Sequence, residues 1–255
     1  QARDWDVVRD PAKQSLVAYT AFDVNLSVAV RCVGRSYQAL IVGLPPTEGD
    51  TRLLGIAFGD DDIHEQTWNV AEDSRVAFSG LPARFARHLR EGGPLKIRIP
   101  GGGEDGRNLV YALDLPASGS AIAESLTACD RPVVDPRDET LAAIDGASLP
   151  NGFTWAHRPS GAYPASRYAG GFAILSCIND PAGRLRDCVI ETEHPQDGGF
   201  GRAALNSLRH ARVESADFPD NSLPPRLIVF RTNFRLSDAP LSLSPSPGRS
   251  RIDPD

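Results

Sequence analysis

The stretch Gly171-Phe172-Ala173-Ile174-Leu175-Ser176-Cys177-Ile178-Asn179-Asp180-Pro181-Ala182-Gly183-Arg184-Leu185-Arg186-Asp187-Cys188-Val189-Ile190-Glu191-Thr192-Glu193 decides the fold of the C-terminal half. Two strand-like runs, Gly171 to Asn179 and Leu185 to Glu193, flank Asp180-Pro181-Ala182-Gly183-Arg184, a strong turn signal. The reading is an antiparallel hairpin with one cysteine on each arm. With the turn centred on Ala182-Gly183, Cys177 and Cys188 lie directly opposite each other. Opposed residues of a non-hydrogen-bonded pair have Cα atoms ~4.5 Å apart, within disulfide range. A turn of different length shifts the register by one, and a bulge is then needed.

Outward from the hairpin, Phe200, Ala203, Ala204, Leu208 and Ala211 recur at helical spacing and predict a helix over Phe200 to Arg212. A last strand is expected over Arg226 to Leu236. The order β-β-α-β is an α+β pattern. On the last strand Ile228, Phe230, Thr232 and Phe234 share one face, with Arg231 and Arg235 on the other. If this strand lies at a sheet edge, its free backbone groups are a template for pairing. Those four residues are the candidate partner-binding positions.

The N-terminal half reads as β-rich with two short helices. Leu26, Val28, Val30 and Cys32 alternate with period two. Further strands are expected over Tyr37 to Val42, Arg52 to Phe58, Gln66 to Val70, Arg75 to Ser79, Leu95 to Ile99 and Leu109 to Leu115. Pro82 to Glu91 predicts a helix, with proline at its start and Gly92 at its stop. A second helix is expected from Ser120 to Ala128. Ile122, Leu126 and Cys129 share one of its faces, which turns the cysteine inward. The expected organisation is a disulfide-closed β-rich domain over 1–134 and a linker over 135–152 with one helical turn at Thr140 to Ile144. An α+β domain over 153–237 and a disordered tail over 238–255 follow.

The 255 residues carry 27 basic and 33 acidic side chains, a net charge of −6. This acid excess argues against general nucleic-acid binding, which needs clustered Lys and Arg. No apolar run reaches the ~20 residues of a membrane-spanning helix. Four cysteines are compatible with two bridges in an oxidising compartment, and the spacing favours bridges over buried thiols. Cys32 and Cys129 form the second expected bridge. Methionine is absent, even at position 1. Removal of a signal peptide would explain this, and a periplasmic or secreted protein is expected.

No constellation announces chemistry, and neither catalytic, cofactor-binding nor metal-ligating residues are assigned. Asp60-Asp61-Asp62-Ile63-His64-Glu65 groups carboxylates with a histidine but lacks EF-hand or H-E-x-x-H spacing, and it reads as a solvated hairpin turn. Gly101-Gly102-Gly103-Glu104-Asp105-Gly106 precedes a strand rather than a helix and reads as a hairpin loop. Gly198-Gly199-Phe200-Gly201 does precede a helix, and its glycines read as turn geometry. His64, His88, His157, His194 and His210 lack metal spacing, and His88 and His210 are expected on solvated helix faces. Arg84, Arg87, His88 and Arg90 form a basic helix side, read first as solvated and otherwise as a receiver for an acidic partner or anionic lipid headgroups.

The C-terminal half resembles the TonB C-terminal domain family over about residues 153–237. The residues that carry this are Tyr163-Pro164, Gly170-Gly171, Asp180-Pro181-Ala182-Gly183, Glu193-His194-Pro195, Gly198-Gly199-Phe200-Gly201, Ala203-Ala204-Leu205 and Phe234-Arg235-Leu236. Paired cysteines on the hairpin resemble a periplasmic branch of that family. The resemblance implies a periplasmic domain that adds a partner peptide to its sheet edge. The family's membrane anchor, its Pro-rich spacer and the aromatic-and-proline ending of its helix are not seen. The resemblance therefore implies fold and compartment rather than energy transduction. In the N-terminal half, the Leu26–Cys32 and Trp68 strands, the Pro82–Glu91 helix, Pro94 to Pro100 and the late helix ending in Cys129 resemble a periplasmic accessory family of type VI secretion. Neither resemblance brings catalytic residues.

The expected function is non-catalytic protein–protein interaction at the cell envelope through a sheet edge, with a protein partner and no cofactor. Two alternatives stand beside it: an envelope enzyme with an interdomain active site, and an accessory of a secretion machine. Polar convergence in a pocket favours the enzyme, and a bare sheet edge favours the binder.

Overall fold

A computed structural model of the chain describes residues 5–138, 149–218 and 222–236. The expected helical turn at Thr140 to Ile144 and the tail over 238–255 lie outside the described residues. The described residues are mostly antiparallel sheet, with three short α-helices lying wholly within them, an α+β class.

The N-terminal part builds a nine-stranded sheet from β1 (Asp6–Asp10), β2 (Ser15–Phe22), β3 (Leu26–Val33), β4 (Ser36–Val42), β5 (Thr51–Phe58), β6 (His64–Val70), β7 (Val76–Phe78), β8 (Gly93–Ile99) and β9 (Leu109–Leu115). Their order is β1-β2-β3-β4-β7-β6-β5-β8-β9, every neighbour antiparallel. Sequence reading did not include β1 and β2. In β2 the buried residues Leu16, Ala18 and Thr20 alternate with less buried neighbours, a readable period-two signal.

Helix α1 (Pro82–Glu91) carries the chain from β7 to β8, and α2 (Ala121–Ala128) follows β9. Proline opens α1, and Gly92 ends it at φ 73, pressed against the backbone of Ala117. Ala83, Phe85, Ala86 and Leu89 of α1 are buried with Ile122 and Leu126 of α2 on one face of the sheet. The Phe85 ring meets Trp68 edge-on at 5.0 Å. Tyr37 Oη and Ser125 Oγ share a buried hydrogen bond of 2.9 Å, satisfying both hydroxyls. Burial holds the Tyr37 phenol above its ordinary value. Cys32 on β3 and Cys129 at the end of α2 are bridged, with Cα atoms 5.6 Å apart.

The C-terminal part pairs β10 (Phe153–His157) with β13 (Arg212–Ser215), and orders β11 (Gly170–Asn179), β12 (Leu185–His194) and β14 (Leu227–Arg235) as β12-β11-β14. The helix expected over Phe200 to Arg212 is shorter. Helix α3 (Phe200–Asn206) tightens into a 3-10 turn, Ser207–His210, and Arg212 already begins β13. Its inner face buries Phe200 and Ala204 against β11 and β14. Glycine at 171 makes this approach possible, since a Cβ there would stand 2.2 Å from the Phe200 ring.

The hairpin takes the second register foreseen for it. Asp180 N–H donates to Arg184 O and Gly183 N–H to Asp180 O, closing a three-residue loop with Gly183 left-handed at φ 78. Asn179 therefore opposes Leu185 and Ile178 opposes Arg186, one position out of register for the cysteines. A bulge between Ser176 and Ile178, with Asp187 at φ 50, restores the opposition. Cys177 and Cys188 are bridged with Cα atoms 4.1 Å apart.

The two parts meet face to face. Tyr37, Ala39 and Ile41 of β4 point to the helices, while Leu40 points the other way with Ala29 and Phe78. That outer face packs on Phe172 and Ile174 of β11 and Leu227 and Val229 of β14. Strand β4 is thus covered on both sides, which explains its nearly continuous apolar run. The Phe78 and Phe172 rings lie nearly parallel with centroids 6.2 Å apart, and His194 packs on both.

Candidate functional site

Strand β14 lies at the edge of its sheet, with β11 on one side and no strand of the described residues on the other. The direction of its backbone groups follows from the ladder. Asn179 N–H donates to Arg226 O, and Leu236 N–H to Ala169 O, so even-numbered residues exchange bonds with β11. The odd-numbered residues Leu227, Val229, Arg231, Asn233 and Arg235 aim theirs outward. Leu227 and Val229 are buried, and Asn233 and Arg235 are exposed. The open part of the edge is therefore Arg231 to Arg235.

This placement changes the role of the four residues singled out by sequence. Ile228, Phe230 and Phe234 are buried in the C-terminal core, and Thr232 is half-buried. Trp155 meets the Phe230 ring edge-on at 5.2 Å. Their side chains hold the strand in place, and their backbone groups already serve β11. The groups free for docking belong to their neighbours. Arg231 is itself fixed: its guanidinium lies 3.7 Å over the Phe172 ring and donates to Asn69 Oδ1 at 2.7 Å.

Polar side chains converge where the two parts join. Arg87 of α1 forks onto Asp138, with Nε at 2.5 Å from Oδ2 and Nη2 at 2.6 Å from Oδ1. The guanidinium of Arg137 grips Asp135 and donates to Ser176 Oγ at 2.9 Å. Ser176 donates in turn to Glu191, and Arg131 donates to Ile190 O. Three guanidinium groups and three carboxylates thus balance in one cluster. Ser176, Glu191, Asp135 and Arg87 are all buried. The Arg137 guanidinium holds the Asp135 carboxyl below the usual carboxylate range, and Asp135 raises Arg137.

As chemistry this cluster is closed. The Ser176 hydroxyl is 0% exposed and its proton is committed to Glu191, so no substrate atom reaches it. Its effect is to fix residues 131–138 between the two parts rather than leave them a loose tether. The basic side of α1, read as solvated, is corrected in the same way. Arg87 is buried, Arg84 donates to Asp138 O and Arg90 to Val133 O. The acidic partner of this helix face is the chain's own segment. His88 is half-buried and stacked on Phe58 at 5.1 Å, not solvated, and burial lowers its pKa.

The remaining candidates stay apart. Asp60, Asp61 and Asp62 lie in the β5–β6 connection, and Glu65 on β6 pairs with Arg98 at 2.8 Å. Among the described residues no group of His, Cys, Asp and Glu is placed to hold a metal ion. Gly101 to Gly106 join β8 to β9. At the start of α3 the Gly201 N–H donates to Glu193 Oε2 at 2.7 Å, so a side chain of this chain already occupies the anion position. Burial pushes the Glu193 carboxyl up, opposed by that hydrogen bond. His157 and His210 are exposed, and His194 is half-buried between aromatic rings.

Sequence reading missed the junction cluster. Its signal was Ser176 and Glu191 standing inside otherwise strand-like runs, together with the acid–Arg alternation of Asp135 to Asp138. Two disulfides fit an oxidising, non-cytoplasmic compartment. No helix among the described residues is long and apolar enough to cross a membrane. Comparisons with family models, curated proteins and solved structures give no match for this chain.

Proposed function

We propose that this chain is a non-catalytic interaction protein of the bacterial cell envelope, periplasmic or secreted, that docks a partner by adding an extended segment to its C-terminal sheet. The observation that carries this reading is the position of β14 at a sheet edge, with the exposed residues Asn233 and Arg235 presenting outward backbone groups. Strand addition uses such a row: main-chain hydrogen bonds supply affinity and alternate side chains supply selectivity. The TonB-like order of turns, glycines and strands supports the same reading, and so do the two disulfides.

The test is capture from an envelope extract by the full chain and by its Asn233→Pro variant. Proline at 233 removes an outward N–H and leaves the β11 ladder intact. Circular dichroism and thiol titration first establish that both chains are folded and oxidised. The expected result is a protein held by the native chain and lost by the variant. Retention of every captured protein by Asn233→Pro overturns edge docking on β14.

A further inference from the structure

A basic surface of this acidic protein lies astride α3 and its 3-10 turn, away from the β14 edge. Two grooves flank the helix. One, of about 790 Å³, runs between Arg184–Cys188 on the hairpin, the helix C-terminal end and His157. The other, also about 790 Å³, runs between residues 158–165 and the opposite side of the helix. Arg209 and His210 line both. Arg158, Arg184, Arg202 and Arg209 are exposed, Arg212 is half-exposed, and none of the five makes an ion pair among the described residues. Arg186 is neutralised by Asp180 at 3.0 Å, which leaves Asp187 as the one acid on the walls. Everywhere else that arginines cluster in this molecule, at α1 and at the junction, carboxylates answer them. Here, apart from Arg202, which also faces Glu193, they stand unanswered.

We propose that this double groove docks an extended acidic polypeptide segment. Charge complementarity selects an anion. The shape selects a chain, because the cations lie on the walls of concave grooves rather than on a protruding tip. None of the large exposed apolar residues lines either groove, so the apolar insertion that anchors a surface in lipid is missing. The groove wall also offers backbone. Beyond the single bridge between Arg184 and Arg212, no strand of the described residues covers the outer side of β12. An extended peptide has main-chain groups to pair there, whereas a lipid headgroup or an oligonucleotide has none. The proposal rests on reading the chain as an interaction protein but uses a different surface from β14.

The experiment is fluorescence anisotropy at near-physiological salt with the full oxidised chain. The probe is a short fluorescein-labelled peptide of alternating Glu and Thr, with its Gln/Thr counterpart as control. Anionic phosphatidylglycerol vesicles and a single-stranded oligonucleotide of equal charge serve as competitors. Binding of the acidic peptide alone is expected, weakened at least roughly tenfold by Arg184→Glu with Arg209→Glu, and unchanged by Asn233→Pro. Equal binding of the Gln/Thr peptide, full binding by the charge-reversed chain, or equal competition by vesicles or oligonucleotide overturns the proposal. Absence of peptide binding also overturns it. In that case the Asn233→Pro capture experiment still decides edge docking separately. Loss of the peptide in Asn233→Pro would place the site on β14 instead and would likewise overturn it.

Discussion

Arg137 and Ser176 are joined by a 2.9 Å hydrogen bond, which ties the segment leaving the N-terminal part to the middle strand of the C-terminal sheet. Removing one member of a buried charged cluster leaves its partners uncompensated, at a cost of about 3 kcal/mol or more. Asp135→Ala, which strips Arg137 and Arg87 of a carboxylate, is therefore expected to lower stability by that order. Chemical denaturation checks it. A loss under about 1 kcal/mol would show that the cluster contributes little.

The two disulfides are expected to differ. The Cys32–Cys129 bridge spans 97 positions and the Cys177–Cys188 bridge spans 11. In the chain-entropy model the long closure stabilises by about 4–5 kcal/mol and the short one by about 3 kcal/mol. Paired Cys→Ala variants compared by denaturant midpoint measure the order. Equal losses would contradict the loop-length account.

The Gly171→Ala variant places a methyl group against the Phe200 ring. A destabilisation of about 1–3 kcal/mol is expected from this overpacking. Combining it with Phe200→Leu should recover part of the loss, because the smaller side chain vacates the contested space. A double-mutant cycle in which the two effects simply add would show that 171 and 200 do not compete.

Acid sensitivity has a defined sign. Burial lowers the pKa of His88 and of His194 below the ordinary imidazole value. Their folded values lie below their unfolded values, so the unfolded chain binds protons first. Their stabilisation is complete above about pH 6.5 and is lost as the pH falls below it. Glu72 works against the shift at His194 and Arg231 and Arg31 work with it, while Arg84 lowers and Glu91 raises His88. Asp135, already depressed, loses its contribution only at more acid pH, whereas Glu193, which burial raises, has the opposite sign in a higher window, its contribution being lost as the pH rises through its folded value. Denaturation midpoints should fall between about pH 7 and pH 5, and less so in a His88→Phe, His194→Phe double variant. An identical decline in that variant would assign the effect to other groups.

Local chemistry made much of this fold readable. The proline start and glycine stop of α1, the inward turn of Cys129 and the alternation of β3 all follow from positions a few residues apart. The hairpin was readable down to two registers, and the choice between them was not. It depends on Gly183 entering a left-handed conformation and on Asp187 absorbing the extra residue, which is a competition between the turn and the bridge. Long-range pairing was the harder part. Nothing in Arg84 to Arg90 says that Asp135 and Asp138 return to meet them. The edge was readable as a strand, but which backbone groups face outward was fixed only by the register with β11. The grooves beside α3 arise from residues drawn from 157 to 212, a convergence with no sequence period.

The Cys32–Cys129 bridge also sets how the molecule carries load. Cys129 lies two positions before Arg131, where the chain begins its crossing to the second sheet. A pull on the C-terminal part, carried back along residues 131–138, would reach Cys129 and cross the sulfur atoms into the interior strand β3. That strand is held by β2 on one side and β4 on the other, so the tension spreads across two full ladders. With the bridge reduced, the segment would keep its contacts to Arg87 and Arg90 of α1, but α2 would lose its tie to β3. The oxidation state of the surroundings thus sets how many strands share a load applied at the junction.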